Sequence, residues 1–274
     1  MISAMPRIAI AVHDFAKAVH TFREVLGMPV LDFSPRTVPS LGAHVGMCVP
    51  AGGSNIELMA PATPDAPLAQ ALQGFLDRRD EGLYALMLEA PDPNAEAEEV
   101  AGRGLDVLPL MSGAGGRDIH PRSTHGVLVR IYPENSAGDT GEHDTGEPGL
   151  SGISRVIVAT SDARQAARAY GEGFGLATDE PITDSQHGVL SVTCRPRTGG
   201  VIELVSVLDE QRPLASAISA QLAARGEGMF ALVLESNDPS QAAGVLESRG
   251  LITENSVTGV GVEMRAFGTR IVIE

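Results

Sequence analysis

Arg7-Ile-Ala-Ile-Ala-Val-His-Asp14 returns as Arg155-Val-Ile-Val-Ala-Thr-Ser-Asp162. Each stretch is a short apolar, β-branched run closed by an aspartate, which reads as a buried strand running into a helix N-cap. The echo continues outward from this pair. Gly27 returns as Gly175, Cys48-Val-Pro50 as Cys194-Arg-Pro196, and Asn55-Ile-Glu-Leu58 as Val201-Ile-Glu-Leu204. Arg79-Asp-Glu-Gly82 returns as Arg225-Gly-Glu-Gly228, Asp92-Pro93 as Asp238-Pro239, and Arg103-Gly-Leu105 as Arg249-Gly-Leu251. The offset is 148 residues at first and 146 thereafter. That is too long for a solenoid and right for two copies of one domain.

Composition narrows the function. The 274 residues suffice for two compact domains, each with its own core. A net charge of −15 argues against nucleic acid or an anionic membrane as partner, since both demand a basic face. Cys48 and Cys194 stand at equivalent places in separate copies and read as small buried apolar residues, not a disulfide. The N-terminus enters a strand pattern without a signal peptide, and no apolar run approaches the length of a membrane span. The expected setting is the cytoplasm. With no Trp and 4% aromatics, the chain is poorly equipped for stacking on bases or sugars.

Within the first copy, Pro6 to Val12 is a strand, Asp14 caps a helix with an apolar face at Phe15, Ala18, Val19, Phe22, Val25 and Leu26, and Gly27 ends it. Strands follow at about 29–34, 41–49 and 54–59, then a short helix over 68–75. The pattern then restarts: a strand over Gly82 to Glu89, a cap at Asp92, a helix to Arg103, and strands near 105–110, 116–120 and 126–132. Gly113-Ala-Gly-Gly116 reads as a hairpin turn. Each copy is therefore two βαβββ units and the chain is four, an α+β protein. The domains run over 1–134 and 151–274, joined by a solvated Gly- and acid-rich linker over 135–150.

Paired βαβββ units with strand-cap-helix openings resemble the vicinal oxygen chelate superfamily of glyoxalases, extradiol dioxygenases and bleomycin-resistance proteins. Within it the pattern most resembles methylmalonyl-CoA epimerase. The likeness rests on Arg7-Ile-Ala-Ile-Ala-Val12, Ile56-Glu-Leu-Met-Ala-Pro61, Glu81-Gly-Leu-Tyr-Ala85 and His120-Pro-Arg-Ser-Thr-His-Gly-Val-Leu-Val129. It spans most of the first domain and fades at the end of the second, where Met264-Arg-Ala-Phe267 replaces the His-Pro-Arg-Ser loop. The resemblance implies two tandem domains with curved mixed sheets around cavities.

It also implies four metal-ligand positions per cavity, on the first and last strands of each unit. In the first domain these hold Arg7, Glu57, Ala85 and Arg130; in the second, Arg155, Glu203, Ala231 and Val272. One carboxylate in four does not make a metal site, so no metal and no cofactor is expected. A carboxylate left without its cation is costly to bury, and a guanidinium from the neighbouring strand restores the charge. Arg7 is thus expected to pair with Glu57, and Arg155 with Glu203. Arg130 adds a surplus positive charge. Either these arginines stabilise a retired pocket, or Arg7 and Arg130 grip a carboxylate or thioester enolate with Glu57 beside them.

Other candidates surround this set. The family's catalytic-base position on the middle strand falls at Val45 and Ser191, neither a base. His44, next to Val45, points to the opposite face. His120 and Arg122 bracket a turn resembling a loop near the cavity mouth and are candidates to meet an anion. Tyr84 is a core residue or an inward donor. His13, His20 and His143 read as surface residues. His187 opens a strand where the first copy has Leu41. The resulting expectation is metal-independent isomerase, epimerase or lyase chemistry on a small carboxylate or acyl thioester, with a small anionic molecule as partner. The alternative is a non-catalytic sequestration protein of the bleomycin-resistance type. In either case one domain can buttress the other, the first being the expected working half, and the chain is a monomer or homodimer.

Overall fold

The computed structural model describes all residues except 112, 114, 137, 139–142 and 144. In the first domain the strands are β1 (Ala4–Ala11), β2 (Val30–Asp32), β3 (Ala43–Cys48), β4 (Asn55–Pro61), β5 (Gly82–Ala90), β6 (Arg117–Ile119) and β7 (Leu128–Pro133). Four helices join them: α1 (Phe15–His20), α2 (Ser34–Leu41), α3 (Pro67–Arg79) and α4 (Pro93–Gly102). The order across the sheet is β2-β3-β4-β1-β5-β7-β6. The central strands β1 and β5 run antiparallel, and each lies parallel to the last strand of its own unit, β4 or β7. Two units related in this way give one curved mixed sheet.

The second domain repeats the plan with β8 (Ile153–Ala159), α5 (Ala163–Arg168), β9 (Ala177–Thr178), β10 (Ile182–Asp184), β11 (Val189–Arg195) and β12 (Thr198–Gly199). It continues through β13 (Val201–Val207), α6 (Pro213–Arg225), β14 (Gly228–Leu234) and α7 (Pro239–Ser248), then β15 (Glu254–Asn255), β16 (Val262–Ala266) and β17 (Thr269–Ile273). Its sheet runs β10-β11-β13-β8-β14-β17-β16-β15. The fold is thus the expected α+β tandem of curved sheets.

Three local readings need correction. Ser34–Leu41 is a helix that the sequence pattern does not announce: two prolines stand in it, one near the start where it is tolerated and one inside. The strand expected near 105–110 is a single bridge at Val107. His187 lies in the turn before β11, which starts at Val189. The proposed linker falls partly outside the described residues, as does the turn at 113–116.

Both opening helices run into a five-residue π-helical turn, Thr21–Val25 and Ala169–Gly173, ended by Gly27 and Gly175 at φ 68° and 72°. The turns bury Phe22 and Tyr170 in a core that both domains share, built from one face of each sheet and helices α1, α4, α5 and α7. Free Cys48 and Cys194 lie in this core; burial pushes the Cys194 thiol up to about 11. The repeated motifs work across the seam. Arg103 donates to the Gly173 carbonyl at 3.2 Å, and Arg249 reciprocates on Val25 at 2.9 Å. Gly126 and Gly268, both at positive φ, press on the carbonyls of Glu227 and Glu81 so closely that a Cβ would lie 1.8 and 1.9 Å away. β12 of the second domain pairs in parallel with the start of the central strand β1, at Ala4 and Met5, and so joins the first domain's sheet.

Candidate functional site

The other face of each sheet carries a separate apolar cluster and the charged positions read from the sequence. In the first domain Ala9, Ala11, Val45, Met59, Tyr84, Ala85 and Met87 line it under Leu68, Leu72 and Leu76 of α3. Strand alternation puts Arg7, Glu57 and Arg130 on this same face. His44 points away, stacked on Phe15 at 5.2 Å.

Both expected pairs form: Arg7 Nε lies 3.1 Å from Glu57 Oε2, and Arg155 Nε 3.2 Å from Glu203 Oε2. The rest of the two sites differs. Arg7 also donates to Ser136 Oγ at 2.9 Å, and Ser136 donates through its hydroxyl (2.9 Å) and backbone N–H (3.1 Å) to Glu89. Tyr132 lies between the arginines, its ring 4.8 Å from the Arg7 guanidinium and its hydroxyl 3.4 Å from Arg130 Nη1. Arg130 is not a surplus charge. Asp118, across β6–β7, takes its Nε and, at 2.7 Å, its Nη2. Burial pulls the Arg130 guanidinium down, but Asp118, Tyr132 and Tyr84 together outweigh it and hold the group above its ordinary value. The network is sealed: the side chains of Arg7, Glu57, Arg130 and Asp118 are 5, 9, 1 and 7% exposed. Phe33, Leu41 and Met111 pack around the same face.

In the second domain, strand register makes Val272 the counterpart of Arg130 and Glu263 that of Asp118. The buried arginine has slid two residues along the strand to Arg270, which pairs with Glu263 and lies 4.7 Å over the Phe230 ring. Two residues is one strand period, so the face is kept. Glu274 takes the place of Tyr132 and accepts both bonds from Arg155 Nη2, at 2.7 and 2.9 Å. Here the exposures are 30% for Arg155, 20% for Glu203 and 21% for Glu274. Burial pushes the Glu203 carboxyl above its usual range; Arg155 opposes this, and neighbouring Glu274 adds to it.

Of three other candidates, His120 and Arg122 lie away from these groups, and Tyr84 lines the first domain's charged face. His120 Nδ1 accepts the Arg122 backbone N–H at 3.0 Å, capping a short 3-10 turn. Arg122 is 72% exposed and paired with Asp106. Their loop belongs to the domain seam, where Tyr170 donates to the Thr124 carbonyl and His125 meets Glu227. Tyr84 is buried, edge-on to Phe75 at 5.3 Å, and burial pushes its hydroxyl pKa up. Sequence reasoning missed Asp118, Tyr132, Glu89, Ser136 and Glu274. Alternation from Arg130 along β7 would have flagged Tyr132; Asp118 needed the β6–β7 register, and Ser136 follows from no pattern.

Neither donor set fits a divalent ion. The carboxylate at each first-unit position is held by a guanidinium, and among the described residues no three His, Cys, Asp or Glu side chains converge as ligands. Also among them, no helix is long and apolar enough to cross a membrane.

Residues 7–120 match the Glyoxalase/Bleomycin resistance protein/Dioxygenase superfamily. Human mitochondrial methylmalonyl-CoA epimerase is 30% identical over 130 residues, 45% of this chain and 70% of that protein. Ethylmalonyl-CoA/methylmalonyl-CoA epimerase of Cereibacter sphaeroides is 30% identical over 139 residues, covering 48% of this chain and 98% of the relative. Among solved structures, a mutant of 4-hydroxymandelate synthase from Streptomyces coelicolor overlays the whole chain and 93% of its own, with TM-score 0.70 at 15% identity. That last likeness concerns the tandem fold alone.

Proposed function

Because the chain belongs to the glyoxalase/bleomycin resistance protein/dioxygenase superfamily, we propose that it performs metal-independent proton transfer, of isomerase or epimerase type, on a small acyl compound. The second domain's concave face is the working site. One observation carries this reading: Glu203 is a carboxyl with a raised pKa, 3.2 Å from a guanidinium, on a face that solvent reaches. A base that removes a proton beside a carbonyl works best with its pKa moved toward neutrality. Arg155 supplies positive charge where an enolate oxygen develops, the oxygen taking Glu274's place on the guanidinium. A small carboxylate or an acyl thioester suits this chemistry, and the named relatives act on acyl-CoA thioesters. The first domain, its charges paired and sealed, is the buttress.

The test is α-proton exchange. Chelator-treated protein is incubated with methylmalonyl-CoA in D2O, and deuterium at the α-carbon is followed by mass spectrometry. Exchange that survives the chelator and falls at least about 10²-fold in Glu203→Gln supports the proposal. No exchange, or exchange that appears only with an added divalent ion, contradicts it. A second reading, binding without chemistry, draws on the excess of carboxylate around Arg155, which two glutamates already share. A basic ligand that stabilises the protein and is recovered unaltered would favour it.

A further inference from the structure

In each domain the segment before β3 or β11 approaches the glycine loop before the next-to-last strand, and the residue making that contact differs between the domains. In the first domain the carbonyl of Gly42 accepts from Ala62 and Thr63; in the second, Gly188 accepts from Leu208 and Asp209. These bonds make Leu41 and His187 structural equivalents. Both face a glycine in the loop before the next-to-last long strand. A Cβ on Gly113 would lie 3.9 Å from Leu41, and one on Gly259 only 2.6 Å from His187 Nε2. The first contact is apolar; the second is an imidazole.

Asp184 holds His187 at both its ring and its backbone. His187 Nδ1 lies 2.6 Å from Asp184 Oδ2, while the other oxygen of Asp184 accepts the His187 backbone N–H at 3.0 Å. The hydrogen bond from His187 lowers the Asp184 pKa, which keeps that carboxylate charged. The opposite ring nitrogen, Nε2, is buried against Gly259 and finds no hydrogen-bond partner among the described residues. A buried nitrogen without a partner opposes folding, and Leu41 shows that the position tolerates an apolar residue. The loop behind Gly259 leads to the charged site, since Thr258 Oγ1 donates to Glu274 at 3.2 Å.

We infer that His187 is the gate of the second domain's site, and that Nε2 takes up a polar group of the ligand when the turn and loop part. This rests on that domain being the working one. His187 is then a specificity residue whose first-domain counterpart is the apolar Leu41.

The test compares His187→Leu, which installs the first domain's residue, with His187→Asn. Melting temperature and methylmalonyl-CoA exchange kinetics are measured alongside Glu203→Gln. His187→Leu is expected to melt at or above the wild-type temperature and to raise KM at least about tenfold with little change in kcat. His187→Asn should recover part of the loss. Unchanged KM in His187→Leu, or a lowered melting temperature with equal losses in both variants, would overturn the gate. If Glu203→Gln loses nothing, the placement of the site has failed. If Glu203→Gln loses exchange and His187→Leu does not, only the gate has failed.

Discussion

The two domains start from the same motif and put it to opposite ends. Arg7–Glu57 and Arg155–Glu203 stand in the same register, 3.1 and 3.2 Å apart, hydrogen-bonded in the first domain and an ion contact without a hydrogen bond in the second. Around the first, Ser136 bridges Arg7 to Glu89, Asp118 holds Arg130, Tyr132 lies between the arginines, and Leu41 packs on the same face. Around the second, Glu274 replaces the tyrosine, the Arg130 position is valine, and His187 stands where the first domain has Leu41. On the proposed reading, a guanidinium beside the glutamate does not by itself decide whether a site works. What decides it is whether the remaining groups are sealed from solvent, because a sealed and satisfied pair resists exchange for a ligand.

This contrast is open to mutation. The largest effect is expected at Arg7. Arg7→Met strands Glu57 in a sealed site and should cost about 3–5 kcal/mol of unfolding free energy in a denaturant titration. Arg155→Met removes a half-open pair and should cost about 1 kcal/mol or less. Equal losses would break the distinction between the sites. Next in size are the seam glycines: Gly126→Ala and Gly268→Ala each force a Cβ onto a carbonyl at positive φ and should cost more than about 1 kcal/mol each. Here the domains should behave alike, since both contacts are reciprocal. A loss in only one variant would mean that the seam is not symmetric.

The smallest effect is in pH dependence. The Glu203 pKa is raised in the folded protein, so this group favours folding below the ordinary carboxylate pKa of about 4.3. That contribution is lost as pH rises through the folded value. Wild-type stability should fall relative to Glu203→Gln over that window, while α-proton exchange climbs as the base ionises. Parallel stability curves for the two proteins would remove the argument for a tuned carboxyl.

Most of the fold was legible because the repeat doubled every signal. Strand, cap and helix openings, the buried cysteines and the two arginine–glutamate pairs all follow from aligning one copy on the other. Helix α2 was not legible, since Pro39 inside it argues against a helix locally, while Phe33 and Leu41 at its ends pack on the charged face. The meaning of Arg130 was misjudged for a related reason. Its partner Asp118 sits on a three-residue strand whose register no periodicity reveals. The proposed choice of the second domain departs from the sequence expectation because exposure is a property of packing: Leu41 and His187 are one pattern position, and only the folded chain brings each against its glycine.

The central claim is that the second domain, not the first, moves the proton. Its most direct measurement is α-proton exchange on methylmalonyl-CoA by Glu57→Gln and Glu203→Gln side by side, expressed per folded molecule. The expected result is near wild-type exchange in Glu57→Gln and a loss of about 10²-fold or more in Glu203→Gln. Loss in Glu57→Gln with Glu203→Gln unaffected would contradict it and return the chemistry to the sealed domain.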